Sequence, residues 1–300
     1  MDKYLRHLKE KHNAVILAHN YQRPEVQDTA DYLGDSLSLA MQATKVDADV
    51  IVFCGVDFMA ETAKILNPDK TVVHPESEAR CPMAAMVDVD GLQALKNKHP
   101  EAAVVSYVNT TAQVKAASDI CCTSSNAVKV IKNLPERDII FVPDENLGRY
   151  VQRFLPDKDL LLWPGVCPTH DKITPGDITA LQREHPHSET MVHPECRPEV
   201  VDLADHVLST GGMVSHAIES GGSEFIVGTE KELCYRLSNE APDKHFYSIE
   251  KARCPNMKKI TLEKVLKSMD TLTPTVSLSE RVMTEARHPL QRMMDVGRGD

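Results

Sequence analysis

One pattern is written three times in this chain. Residues 15–36 read VILAHNYQRPEVQDTADYLGDS, a second copy starts at Ala103, and a third starts near Met191. Aligned, His19 falls on Tyr107 and His193, Tyr21 on Asn109 and Glu195, Asp31 on Asp119 and Asp205, and Ser36 on Ser124 and Thr210. Each set steps by 88 and then 86 residues. A Pro-Asp-Lys turn recurs at Pro68, Pro156 and Pro242 with the same steps, and a Cys-Pro pair at Cys81, Cys167 and Cys254 with steps of 86 and 87. Shared offsets of this kind point to internal duplication, which obliges three similar units to carry equivalent residues in equivalent places.

Within the first copy, apolar runs predict strands at residues 15–18, 49–54 and 71–73. Pro24 suits a first helical turn, Val26, Ala30 and Leu33 share a helical face, and Gly34 ends that helix. Ser36 then caps the next helix, and residues 57–66 form another. The other copies keep this order. Strand and helix in alternation predict an α/β chain of three three-layer αβα domains, each a small parallel sheet covered on both faces. The expected units are residues 1–87, 88–173 and 174–259, with two further helices in residues 260–300 packing back on the first.

The formal charge of −10, with acids and bases mixed along the chain, argues against a nucleic-acid partner. No apolar run nears the ~20 residues that span a bilayer, and the N-terminal stretch lacks a signal core. A cytoplasmic protein with no membrane partner is expected. Eight cysteines in such a chain suit thiols or metal ligands better than a disulfide framework.

Parallel α/β sheets bind ligands at the carboxyl ends of their strands. His19-Asn20-Tyr21, Tyr107-Val108-Asn109 and His193-Pro194-Glu195 all fall there. Ser36, Ser124 and Thr210 open helices, whose N-terminal N–H groups favour anions, and Gly211 and Gly212 let an anion approach the backbone. Three strand ends aimed at one central cleft would make a composite site. The cysteines of the three Cys-Pro pairs, one per unit, would supply three thiolates and leave one metal position open. Zinc and a cubane iron–sulfur cluster both fit that description.

Several motifs together carry a resemblance: Leu17-Ala18-His19-Asn20-Tyr21, Gly34-Asp35-Ser36, Gly55-Val56-Asp57-Phe58-Met59-Ala60-Glu61, Cys81-Pro82-Met83-Ala84, Ser124-Ser125-Asn126-Ala127, His193-Pro194-Glu195-Cys196 and Ser209-Thr210-Gly211. On these the chain resembles the quinolinate synthase family of de novo NAD biosynthesis over essentially its whole length. The resemblance implies a pseudo-threefold arrangement of the domains around a central cleft. It also implies one 4Fe–4S cluster with three Cys ligands, Cys81, Cys167 and Cys254, and one open iron acting as a Lewis acid. The implied reaction condenses iminoaspartate with dihydroxyacetone phosphate to give quinolinate, phosphate and water. Functional coupling to the enzyme that supplies iminoaspartate is expected with it.

Strand-end placement then suggests roles. Glu195 is the leading general base; Tyr21 and Tyr107 exchange protons with substrate oxygens; His19 and His193 hold carboxylate or carbonyl oxygens. Asn109 orients substrate, Ser36 takes a carboxylate, and Ser124 with Thr210 and Gly211 takes the phosphate. His170 either joins the site or only supports the Cys167 loop. Two other classes compete: a different iron–sulfur lyase, and a zinc-stabilised binding protein without turnover.

Overall fold

In the computed structural model, which describes residues 2–300, each copy of the repeat folds as a four-stranded sheet. The first holds β1 (Ala14–His19), β2 (Tyr32–Gly34), β3 (Val50–Cys54) and β4 (Thr71–Val73) in the order β2-β1-β3-β4. The second holds β5 (Ala103–Tyr107), β6 (Ile120–Cys122), β7 (Asp138–Val142) and β8 (Asp159–Leu162) in the order β6-β5-β7-β8. The third holds β9 (Glu189–Val192), β10 (His206–Val207), β11 (Glu224–Gly228) and β12 (His245–Ser248) in the order β10-β9-β11-β12. All strand pairs are parallel.

Continuous apolar runs follow from burial on both faces. Leu17 and Phe53 point into one core while Ile16 and Val52 point into another. Val105 and Phe141 likewise oppose Val104 and Ile140, and Val227 opposes Ile226. The first two sheets share one continuous core; the third has cores of its own.

Three edge strands replace expected structure. Helical spacing across Val26, Ala30 and Leu33 predicts one helix, but the helix stops at Gln27 and residues 32–34 form β2. Asp31 is the cause. Its N–H donates to the Ile16 carbonyl (2.9 Å) and its Oδ2 accepts the Ile16 N–H (2.8 Å), turning the chain into register beside β1. Asp119 does the same to Val104 (3.0 and 2.7 Å) and Asp205 to Thr190 (3.0 and 2.8 Å). The triplicated aspartate is thus an edge-strand clamp.

The triplicated lysine of the Pro-Asp-Lys turn has an equally local task. Lys70 donates to the Val46 carbonyl; Lys158 to those of Leu134 (2.5 Å) and Glu136 (2.7 Å); Lys244 to those of Ala217 (2.7 Å) and Ser220 (2.6 Å). Each cation reaches back across the intervening strand and helix to carbonyls at or just past the end of the helix before them, Ser36–Ala43, Ala127–Lys132 or Thr210–Glu219.

The C-terminal helices break the threefold pattern. Leu262–Thr271 buries Val265 and Met269 against the outer core of the first sheet. Glu280–Val296 buries Ala286, Leu290 and Met293 in the core shared by the first two sheets, so it lies across both rather than on the first alone. Burying the valine, leucine and methionine side chains among these contributes about 1.5–3 kcal/mol each. Among the described residues, no helix is long and apolar enough to cross a membrane.

Candidate active site

In each sheet the chain leaves its central strand toward the edge on one side and returns on the other. A crevice therefore opens at the carboxyl ends of β1 and β3, and of their equivalents. The three crevices meet in one cavity. It is lined by His19, Tyr21 and Ser36 from the first copy, Tyr107, Asn109 and Ser124 from the second, and His193, Glu195 and Thr210 from the third. Cys81, Cys167, His170 and Cys254 line it too. Gly211 does not. A Cβ there would strike the carboxylate of Asp35 and the guanidinium of Arg298, so this glycine makes room for that ion pair (2.8 Å).

The helix caps also sit one residue earlier than expected. Asp35, not Ser36, accepts the Ser38 N–H (2.8 Å), and Ser209, not Thr210, accepts the Gly212 N–H (3.1 Å). The hydroxyls of Ser36 and Thr210 are thereby released from capping. Ser124 lies ahead of its helix, Ala127–Lys132, and its Oγ meets His193 Nε2 at 3.1 Å.

The turn after β1 recurs after β9. The Tyr21 N–H donates to His19 Nδ1 (3.1 Å) and the Glu195 N–H to His193 Nδ1 (3.3 Å). A ring nitrogen that accepts an N–H carries no proton, so both imidazoles are Nε2–H tautomers. Burial lowers their pKa values, to about 4 for His19 and about 3 for His193, and both are neutral donors at pH 7.

Glu195 is buried beneath them. Burial opposes its ionisation, but His170, then His193, and hydrogen bonds from His170 and Tyr107 outweigh it and hold the carboxyl below its ordinary range. His170 Nδ1 lies 2.6 Å from Glu195 Oε2, and Asn109 Nδ2 donates to Oε1 at 3.5 Å. Behind His170, Thr229 Oγ1 lies 2.8 Å from Nε2, and Tyr21 Oη lies 2.6 Å from that hydroxyl. One assignment satisfies every group: Tyr21 donates to Thr229, Thr229 to His170 Nε2, and His170 Nδ1–H to Glu195. A proton path thus runs from a phenol on the first sheet to a carboxylate on the third. Burial, then the nearby Glu195 charge, raises both Tyr21 and Tyr107 well above the usual phenol value, so both remain donors.

Thr229 escapes the repeat alignment because its counterparts, Val56 and Pro143, are not polar. Three carboxylates outside the strand-end sets also share a spacing in the sequence. Asp57, Asp144 and Glu230 accept the backbone N–H of Cys81 (2.9 Å), Cys167 (3.2 Å) and Cys254 (3.1 Å). An acid stands 24, 23 and 24 residues before each cysteine.

The expectation of a 4Fe–4S cluster on Cys81, Cys167 and Cys254 is corrected. The donors that converge at this site, all within 4.8 Å of one another, are Cys167, His170 and Glu195: one thiol, one imidazole and one carboxylate. Cys81 and Cys254 line the cavity but do not join that set. Each cysteine is tied by its own carboxylate to the loop of a different sheet, whereas His170 reaches Cys167 Sγ (3.2 Å) from three residues away in the same loop. The set is competent for a single borderline cation. It does not fit a three-thiolate holder with an open iron.

The profile of the family described as Quinolinate synthetase A protein matches residues 3–295. A Quinolinate synthase of Thermodesulfovibrio yellowstonii is 55% identical over 288 residues, 96% of this chain and 95% of the relative. One of Methanoregula boonei is 54% identical over 288 residues, with the same shares covered. Quinolinate synthase 1 of Methanosarcina acetivorans is 52% identical over 295 residues, 98% of this chain and 97% of the relative. Identity at this level, along almost the full length of both partners, shows that the chain belongs to the quinolinate synthase family, transferase enzymes of NAD biosynthesis.

Proposed function

We propose that this enzyme condenses iminoaspartate with dihydroxyacetone phosphate, releasing phosphate and water and forming quinolinate. The observation that carries the reading is the Tyr21–Thr229–His170–Glu195 path, because such a reaction consists largely of proton transfers between carbon, nitrogen and oxygen. Glu195, ionised and buried, takes a proton from the carbon that becomes nucleophilic. The phenols of Tyr21 and Tyr107 return protons to oxygens that leave as water. His19 and His193 present neutral Nε2–H groups, which hold a carboxylate or carbonyl oxygen without adding a formal charge.

Ser36 and Thr210 lie in first helical turns whose capping is already provided, which suits them to carboxylate and phosphate oxygens. Ser124 serves the phosphate beside His193. Lys172, which also lines the cavity, adds a positive charge for two strongly anionic substrates. Asn109 orients substrate: its Nδ2 is on Glu195, and its buried Oδ1 has no protein partner. A separate enzyme must supply the imine, which favours functional coupling to that source.

The test is quinolinate formation from the two substrates, with Glu195→Gln as the comparison. Quinolinate from the parent and none from the variant supports the reading. Equal rates would remove Glu195 from the chemistry, and no quinolinate from the parent would remove the reaction.

A further inference from the structure

The third sheet carries a second convergence of metal-competent side chains at its opposite end. Glu189 is the first residue of β9 and His206 the first of β10, about 10–13 Å along the strands from the residues that enter the cavity. His216 lies on the helix Thr210–Glu219, which packs over this end. One carboxylate oxygen, Glu189 Oε2, lies 3.1 Å from His206 Nε2 and 2.7 Å from His216 Nε2. The rings stand 4.0 Å apart, tilted by 44°, each aiming the same nitrogen at the same oxygen.

We propose that Glu189, His206 and His216 form a divalent-cation site of the zinc class that clamps the helix Thr210–Glu219 to the edge of the third sheet.

Several features fit. The three donor atoms lie within 4.8 Å of one another. Bonds of about 2.0–2.1 Å in a tetrahedral site put ligand atoms about 3.3 Å apart, so only small shifts are needed. The other carboxylate oxygen, Oε1, accepts the Ser220 hydroxyl (2.9 Å), which fixes the carboxylate and leaves Oε2 for the cation. Among the described residues no lysine or arginine pairs with Glu189; nearby Lys244 is bonded to the carbonyls of Ala217 and Ser220. The side chains are 24–36% exposed, so a water reaches the fourth position. Two imidazoles and one carboxylate select zinc, cobalt or nickel over magnesium and calcium, which take oxygen ligands.

Among the described residues, the hydrogen bonds of these three side chains reach no cavity residue. Its effect is mechanical: β9 leads into His193 and Glu195, and the same helix begins with Thr210.

The full chain, stripped with a chelator and titrated with Co2+, provides the test. The parent should bind one equivalent more than His206→Gln or His216→Gln, with the extra equivalent absorbing in the visible region. Cobalt at Cys167 would add a near-ultraviolet sulfur-to-metal band, so the two sites are separable. Glu189→Gln keeps the shape and the Ser220 contact; its affinity for the extra equivalent should fall at least about tenfold, and it decides the matter if a histidine variant fails to fold. Zn2+ should raise the melting temperature of the parent more than that of Glu189→Gln. Equal affinity for the extra equivalent and equal melting shifts in parent and Glu189→Gln would overturn the proposal.

Discussion

The first and third copies make the same turn and use it differently. In both, an imidazole accepts the N–H two residues on, and that second residue points into the cavity. In the first copy it is Tyr21, a donor in a relay. In the third it is Glu195, the acceptor at the relay's end. The second copy keeps neither imidazole nor acid and supplies Tyr107 and Asn109. Two devices away from the cavity hardly differ between the copies. The aspartate clamps at 31, 119 and 205 have nearly the same geometry, and the lysine turns all end helices. Duplication preserved what holds a sheet together and diversified what lines the cavity.

The comparison breaks first at Glu195. Glu195→Gln should lower kcat by about 10²–10⁴ while leaving the near-UV circular dichroism unchanged. A variant of normal turnover would mean that the two copies do not differ in chemistry. Thr229→Val removes the middle hydroxyl, leaving Tyr21 Oη only its longer 3.4 Å approach to His170 Nε2, and should cost less, about 10² in kcat at most, with KM little altered. An unchanged kcat would show that Tyr21 and Glu195 act separately.

Next come the two histidines, for which the copies should agree. Their pKa values in the folded protein, about 4 and about 3, lie below the ordinary 6.5 because both are buried. The unfolded chain therefore takes up protons first as pH falls. Stability should drop below pH 6.5 by about 1.4 kcal/mol per pH unit for each histidine, levelling off below the folded values. Urea melts between pH 7 and 5 measure the slope, and His19→Gln and His193→Gln should each remove a similar share. A flat parent profile would contradict neutral buried imidazoles.

The smallest effect belongs to the clamps. Asp31→Asn, Asp119→Asn and Asp205→Asn should each destabilise by about 1 kcal/mol, nearly equally, with kcat retained. Unequal losses, read from denaturant midpoints, would show that the scaffold too has diverged.

Much of this was legible in the sequence because a repeat multiplies weak signals. The central strands, the lysine turns and the strand-end residues could all be read from their shared offsets. The edge strands could not, since two or three residues beside Ala30 and Leu33 carry no period of their own. Their register is imposed by Asp31 across a distance in sequence that helical spacing ignores. Thr229 was invisible for the opposite reason: it is unique to one copy. The ligand set is not legible from the repeat, because equivalent positions in three loops do not imply that their side-chain tips meet. His170 and Glu195 reach Cys167, while Cys81 and Cys254 stay with their own loops.

The relay has one more consequence. Its links, 2.6, 2.8 and 2.6 Å long, join groups borne by all three sheets. Side-chain hydrogen bonds are lost by about 3.6 Å, so sliding one sheet past another by roughly an ångström would disconnect the circuit. Proton transfer is thereby interlocked with assembly: the wire conducts only when all three repeats are seated, and a loosened cleft could admit substrate while the acid–base chemistry stays switched off.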